Sequence, residues 1–179
     1  MLADQYRAYW LHQAVHHPDL LHTDEQRVFA MISIEQAFGD FRANAQEKGF
    51  ILRPIHYTYQ VGRGEDGRML KRLQGGWIVA YYYDTRGKGT TDQLGAMDKA
   101  EALNEQLMEK VVADSLRGHP LWQRSLDSRQ DFSSQPVMLT GDMAYTGYRT
   151  VFTWNHQLTL CSPPQLVAWG DGGATPHQL

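Results

Sequence analysis

The chain alternates between two hydrophobic patterns, one with the spacing of an α-helix and one with the period of two that is typical of β-strands. An N-terminal segment from residue 3 to about residue 15 has helical spacing. Pro18 should interrupt it, because a residue before proline disfavours the α conformation. The segment is predicted to be a short helix or an arm, and its spaced positions are Tyr6, Tyr9, Trp10 and Gln13.

A second helix is predicted from Thr23 onward. The Thr23 hydroxyl can cap its first turn, and Gln26 stands three residues later, as in a capping box. Gly49 should end it. The mainly apolar stripe of this helix would consist of Arg27, Met31, Ile34, Phe38, Phe41 and Ala45.

A third helix is predicted over residues 91–116, before the Gly118–Pro120 stop signal. One face is apolar and would pack on a sheet; it carries Met97, Ala100, Leu103, Leu107 and Val111. The opposite face is acidic and carries Asp98, Glu101, Glu105 and Glu109. Such a face is usually solvated.

From Phe50 onward the period changes to two, which predicts two strands. The first would show Ile51, Ile55, Tyr57, Tyr59 and Val61 on one face, and the second Trp77, Val79, Tyr81 and Tyr83. The segment from Gly62 to Gly76 is rich in glycine and charge. It is predicted to be an extended hairpin loop that projects from the body.

The second half of the chain predicts another hairpin. Residues 121–135 are polar and favour a surface connection with an anchor made of Leu121, Trp122 and Phe132. Alternating stretches then cover residues 137–146 and 148–160, with a turn expected near Thr146 and Gly147. The last residues are rich in proline and glycine, which is typical of an arm.

These elements predict an α+β fold with the order α-β-β-α-β-β. We expect one mainly antiparallel sheet, two helices packed on one face, and arms at both ends. The expected division is an N-terminal helix or arm at 1–22, an α+β domain at 23–161 and a C-terminal arm at 162–179.

Composition excludes several classes of protein. Hydrophobic residues make up 42% and charged residues 21% of the 179, which is ordinary for a folded domain. The net charge of −3 does not fit a strongly basic nucleic-acid binder. A single cysteine, Cys161, allows no internal disulfide. The sequence shows no secretory leader and no apolar run of about 20 residues, so we expect no membrane span.

No set of residues predicts catalysis or a cofactor. His12 and His16 are four residues apart, and His17 and His22 follow, but Pro18 breaks the helical geometry and no clear third metal ligand is present. We therefore assign no catalytic residue, no metal and no cofactor. Two alternatives stay open, namely a metal-dependent or hydrolytic enzyme that uses these histidines, and a cytoplasmic adaptor that binds a peptide along a sheet edge.

Two segments are predicted to contact other subunits. The hairpin loop carries four basic residues against Glu65 and Asp66, in a chain whose total charge is negative. The C-terminal arm offers three apolar anchors, and a buried tryptophan is a common energetic centre of interfaces. The residues expected at subunit interfaces are Arg63, Arg68, Lys71, Arg72, Leu166, Val167 and Trp169.

The order of elements between Thr23 and Cys161 resembles that of the tail terminator, or tail completion, proteins of long-tailed bacteriophages and of related tail-tube and neck proteins. Three stretches carry the resemblance: ILRPIHYTYQVG before the charged loop, GGWIVAYYYD before the acidic helix, and the closing GYRTVFTWNHQLTL. None of them is a specific motif, so the likeness is one of fold.

The resemblance implies a structural virion protein that assembles in the host cytoplasm and is not an enzyme. It would form a homo-oligomeric ring at the tail or neck, close the tail tube and join it to the head. Its partners would be copies of itself and other tail-tube or neck proteins. DNA would pass through the ring without specific binding, and the acidic row Asp98, Glu101, Glu105 and Glu109 could face the lumen, since an acidic wall does not hold phosphates.

Overall fold

Two helices and four strands are present in the part of the chain that the structure describes. This structure is a computed structural model, and it describes residues 2–26, 28–33, 35, 49–64, 67–83, 89–126, 128–139 and 144–157. In chain order the elements are helix α1 (Leu2–His16), strand β1 (Phe50–Arg63), strand β2 (Met69–Tyr83), helix α2 (Gly89–Leu116), a 3-10 turn (Arg129–Asp131), strand β3 (Phe132–Leu139) and strand β4 (Ala144–Gln157).

The four strands form one antiparallel sheet with the order β1-β2-β4-β3. Strands β2 and β4 occupy the centre and pair along their whole length, from Leu70 opposite Gln157 to Tyr83 opposite Ala144. Residues 75–80 of β2 are all buried, because this strand is covered on both faces. The predicted α+β class, with helices packed on a mainly antiparallel sheet, is confirmed.

Both helices pack on the same face of the sheet. Leu103 and Leu107 of α2 are buried in the main core, as their helical spacing predicted. The buried side-chain amide of Asn104 fixes the position of α2 on the sheet. Its Oδ1 atom accepts hydrogen bonds from Trp77 Nε1 at 2.8 Å and from Thr150 Oγ1 at 2.7 Å. Helix α2 is therefore tied to both central strands.

Helix α1 enters the same core through aromatic rings. Tyr6 stacks on Trp154 with ring centroids 5.7 Å apart, and Trp10 lies 4.9 Å from Trp77. Trp122, from the connection after α2, contacts Trp154 at 5.2 Å. The helix predicted at the N-terminus is confirmed, but the alternative of an arm is wrong, because Tyr6 and Trp10 are buried in the main core.

The Tyr6 hydroxyl is a polar link inside this aromatic core. It contacts the Ile55 carbonyl oxygen at 3.1 Å and the Gly76 carbonyl oxygen at 3.2 Å, and it accepts from the Gly76 N–H at 3.3 Å. Burial raises the pKa of Tyr6 above its ordinary value, so the hydroxyl keeps its proton and remains a donor. One side chain thereby joins α1 to both β1 and β2.

Strand β1 changes face at a β-bulge between Ile55 and Thr58. Before the bulge, Ile51 and Ile55 point to the face opposite the helices, where they join a second buried cluster with Ile78. After it, Tyr57 packs against the main core. The single stripe predicted for this strand is therefore wrong, because one inserted residue reverses the alternation.

The predicted helix from Thr23 is contradicted in its first part. Thr23 Oγ1 does accept from the Gln26 N–H at 2.9 Å, but this bond closes a turn. Residues 28–33 are extended along β1: the Ile32 N–H donates to the Pro54 carbonyl at 2.9 Å, and the His56 N–H donates to the Ile32 carbonyl at 2.8 Å. Backbone groups at the edge of β1 need partners, and this segment supplies them. The other positions of the predicted stripe except Met31 lie outside the described residues: Arg27, Ile34, Phe38, Phe41 and Ala45.

The turn predicted near Thr146 and Gly147, between the last two strands, lies elsewhere in the structure. Thr146 and Gly147 lie within β4, opposite Tyr81 and Ala80, and the connection from β3 falls between Leu139 and Ala144. Gly147 is required by close strand approach, since a Cβ there would stand 2.1 Å from the Val79 carbonyl oxygen. Gly147 is therefore a packing position in a strand and does not form the predicted turn.

The predicted anchor after α2 is confirmed. Leu121 and Trp122 are fully buried, and Phe132 is half-buried against the same core. The nearby Leu126 is also buried, and its N–H donates to Ser115 Oγ at 3.0 Å. The connection is thus held to the end of α2 and forms part of the core.

The Tyr6 hydroxyl can be tested with a substitution that keeps the ring. Tyr6→Phe should lower the free energy of unfolding by about 1–3 kcal/mol, because it leaves the buried Gly76 N–H without its partner. The measurement is urea denaturation followed by tryptophan fluorescence. Tyr59→Phe, at a position that is 55% exposed, is the matched control and should change little. Equal midpoints for both variants would contradict the role of Tyr6.

Two glycine substitutions should change the free energy of unfolding in opposite directions. Gly147→Ala should destabilise the protein by about 1–3 kcal/mol, because its Cβ would meet the backbone of β2. Gly95→Ala lies in α2 with open space around its Cβ, and it should stabilise the helix by about 0.5–1 kcal/mol. Thermal melting of the two variants beside the parent measures both effects. A stabilised Gly147→Ala protein would refute the close approach of β4 to β2.

Candidate functional site

The β1–β2 hairpin is the first candidate interaction surface. The sequence predicted an extended loop over Gly62–Gly76, but the strands continue almost to the tip, with Gly62 opposite Leu70 and Arg63 opposite Met69. The turn is closed by a hydrogen bond of 2.8 Å from the Gly64 N–H to the Arg68 carbonyl. The loop prediction is therefore wrong for most of its length, because the ladder between β1 and β2 supplies partners to this polar stretch.

The hairpin exposes apolar and basic side chains together. Tyr59 and Val61 are 55% and 51% exposed, on the face of the sheet that the helices cover farther along. Lys71 is half-buried, and its Nζ atom lies 4.6 Å from the centroid of the Tyr59 ring, within cation–π range. The other three predicted interface residues of the hairpin, Arg63, Arg68 and Arg72, are all exposed.

His156 lies beside this surface, because it is paired with Lys71 across β2 and β4. Burial and then the neighbouring Lys71 charge lower the pKa of His156 below its ordinary value. The imidazole is therefore held neutral next to the ammonium. The hairpin surface carries its positive charge on lysine and arginine rather than on histidine.

The acidic face of α2 is the second candidate surface. All four predicted carboxylates, Asp98, Glu101, Glu105 and Glu109, are exposed. Arg129 lies 3.9 Å from Glu105 and forms an ion pair with Glu109, so the C-terminal half of the row is partly neutralised. Burial, followed by the charge of Glu101, raises the pKa of Tyr148. The N-terminal half of the row, Asp98 and Glu101, is thus the stronger acidic patch.

The two surfaces are far apart on one subunit. Lys99 of α2 contacts Tyr81, and Asn104 contacts Trp77, so this part of α2 lies over the end of β2 that is remote from the hairpin. With Met69 at the other end of the strand and a rise of about 3.3 Å per residue, Asp98 and Glu101 are roughly 25–40 Å from the hairpin turn. One subunit cannot neutralise its own hairpin with this patch.

The N-terminal histidines make other contacts than metal ligation. The His12 and His16 rings stack at 4.1 Å, and His16 Nδ1 lies 2.9 Å from the His12 carbonyl oxygen. His17 Nε2 bonds to Gln106 Oε1 at 2.9 Å, and His22 Nδ1 accepts from the Phe29 N–H. Within the described ranges, no group of three or more His, Cys, Asp or Glu side chains has the arrangement of a metal site.

A sheet edge for peptide binding is present at β3, which borders the sheet beyond β4. Its residues 133–136 are exposed. Pro136 has no N–H to donate, which is a common way of weakening an edge as a template for another strand. Strand addition by a peptide at this edge is therefore weaker than at an edge with a full set of backbone N–H donors, which makes the adaptor function less favoured.

The sequence did not predict a cleft between α1 and α2. This cleft has a volume of about 470 Å³, and its polar cluster consists of the buried Tyr9 and Asp114 and the exposed Lys110. Asp114 accepts from Tyr9 Oη at 3.0 Å and from Lys110 Nζ at 2.7 and 2.8 Å. Burial, followed by the Asp114 charge, raises the pKa of Tyr9. Lys110 and Asp114 stand four residues apart on one helix, but only the fold brings Tyr9 to them.

Three predicted interface residues, Leu166, Val167 and Trp169, lie outside the described residues, as does Cys161. Among the described residues, no helix is long and apolar enough to span a bilayer.

No protein-family model matches the chain, and a search of curated proteins finds no significant match.

The electrostatic coupling across β2 and β4 can be tested by titration. Lys71→Met should raise the pKa of His156 toward 6.5, because it removes a positive charge and keeps most of the apolar side chain. The measurement is an NMR titration of the His156 imidazole. Lys99→Met, which lies near Tyr81, is the control and should leave that pKa unchanged. An unchanged pKa in Lys71→Met would mean that burial alone sets it.

Proposed function

We propose that this protein is a structural subunit that assembles with copies of itself into a ring at the tail or neck of a bacteriophage particle. The ring would close the tail tube and join it to the head. The observation that carries the self-assembly is the separation of two complementary surfaces, the basic hairpin and the acidic patch of Asp98 and Glu101. The tail or neck location rests on the resemblance to tail terminator proteins in the order of the elements from Phe50 onward, because residues 28–33, in the first helix of the predicted order, are extended.

Complementary patches on different parts of one subunit favour head-to-tail association. Such an interface is heterologous, and it gives a closed ring when the rotation between neighbours closes. The hairpin of one subunit would approach the acidic patch of the next, where opposite charges guide the encounter. Tyr59 and Val61 would supply apolar area at the contact, since exposed apolar side chains beside charges are typical of an interaction surface.

The resemblance implies that the acidic row faces the lumen, whereas the proposal made here uses part of the row to receive the hairpin. A row that faces the lumen would repel DNA phosphates and let the duplex pass. A row that receives the hairpin would be covered in the ring. Glu105 and Glu109 already interact with Arg129, so the proposal assigns docking to Asp98 and Glu101 only.

Charge reversal tests this assembly. Arg63→Glu/Arg72→Glu and, separately, Asp98→Lys/Glu101→Lys should each abolish rings in negative-stain micrographs and shift the sedimentation coefficient to that of the monomer, because like charges would then meet. A protein that carries all four reversals should form rings again, since its surfaces are complementary once more. Arg117→Glu, which alters an exposed charge after α2, is the matched control and should assemble normally.

The outcomes distinguish the assignments. Monomers of the unaltered protein at both 50 and 500 mM salt would overturn the ring. If rings form with either pair of reversals, the hairpin and the acidic patch are not the docking surfaces. If rings form with the Asp98→Lys/Glu101→Lys change but not with the hairpin change, and if they retain DNA in their centre, the acidic row faces the lumen. Circular dichroism of each variant separates loss of assembly from loss of folding.

A further inference from the structure

We propose that the cleft between α1 and α2 binds a small carboxylate with an apolar body, such as a medium-chain fatty acid. This site is independent of the ring surfaces, because it uses neither the hairpin nor the acidic row. Its wall residues come from α1, from the C-terminal part of α2 and from the segment that follows α2.

The size and lining of the cleft set the class of ligand. Its volume of about 470 Å³ lies within the range of small-molecule sites. Ala8, Pro120 and Leu121 line part of the wall, and the Tyr9 ring adds aromatic surface. These groups favour an apolar body over a wholly polar metabolite, because apolar surface releases water when it is covered.

The exposed Lys110 ammonium is the charged hydrogen-bond donor of the cleft. The Asp114 carboxylate already accepts three hydrogen bonds, two from Lys110 and one from Tyr9. Lys110 has three N–H groups, so one is left for a ligand. A cationic ligand is disfavoured because Asp114 is neutralised by Lys110, whereas a monoanion can share that ammonium.

Two further side chains, His119 and Gln13, can donate hydrogen bonds to a ligand in the cleft. His119 Nδ1 accepts from the Leu121 N–H at 3.2 Å, which places the imidazole proton on Nε2 as a donor. Gln13 is only 8% exposed and presents an amide at the wall. A phosphate dianion would require more positive charge than one shared lysine, so a single carboxylate matches the site better.

The cleft is also held open before any ligand arrives. The bond between Tyr9 and Asp114 joins α1 to α2, and His17 bonds to Gln106 of α2 at 2.9 Å near the other end of α1. The edge of the Tyr9 ring meets His119 at a centroid distance of 5.3 Å. A preformed site of this kind loses little conformational entropy on binding.

The test uses octanoate as the probe and 1-octanol as its uncharged counterpart. Titration of the ¹⁵N-labelled full chain at pH 7.5 should shift the amide signals of Ala8, Gln13 and Leu121. Octanoate should bind about tenfold more tightly than octanol, because a charge-assisted hydrogen bond adds to the apolar contact. Lys110→Gln should reduce this preference about tenfold.

A variant that fills the cleft gives a second measurement that does not disturb the polar cluster. Ala8 is exposed at the wall, so Ala8→Phe should abolish octanoate binding and preserve folding. Ala3→Phe, at an exposed position of α1 outside the cleft, is the matched control and should bind normally. Absence of shifts at the cleft, equal binding of octanol, or full binding by Ala8→Phe would each overturn the proposal.

Discussion

The structure depends on one buried phenol. Tyr6 brings α1 onto the sheet, and its hydroxyl satisfies backbone groups at the point where β1 changes face. Those groups would otherwise be buried without partners inside an aromatic core, which is costly. Gly75 makes the approach possible, since a Cβ there would stand 2.8 Å from the Tyr6 oxygen. The ring, the hydroxyl and the neighbouring glycine therefore act together.

This arrangement also decides which part of the sheet is left uncovered. Helix α1 covers the sheet as far as Tyr57 and Trp154, whose rings contact Tyr6. Beyond that point β1 and β2 continue as a hairpin, so Tyr59 and Val61 are exposed. The basic residues lie on the same extension. The interaction surface that we propose is thus a consequence of where the helical layer ends, and its length comes from two strands of 14 and 15 residues.

Two kinds of electrostatic environment coexist in the molecule. The hairpin and the acidic patch are exposed and separated, so they favour long-range attraction between subunits that salt weakens. In the Lys110–Asp114–Tyr9 cluster the buried Tyr9 and Asp114 are paired with each other and with the exposed Lys110, so the cluster is suited to orienting one bound group. The first arrangement supports an assembly role, and the second supports a binding site that does not interfere with it.

The sequence by itself determined the elements whose pattern is local. The period of two predicted β1 and the second half of β2, and helical spacing predicted α2 with its buried Leu103 and exposed Glu101. Charge counting identified the basic segment 62–76, although its strands were predicted to be a loop. Only the tertiary structure decided the extended course of residues 28–33, because pairing with β1 overrode a local capping signal. It also decided the bulge and the cleft. Tyr9 and Asp114 are 105 residues apart, and no local period relates side chains that meet only through packing.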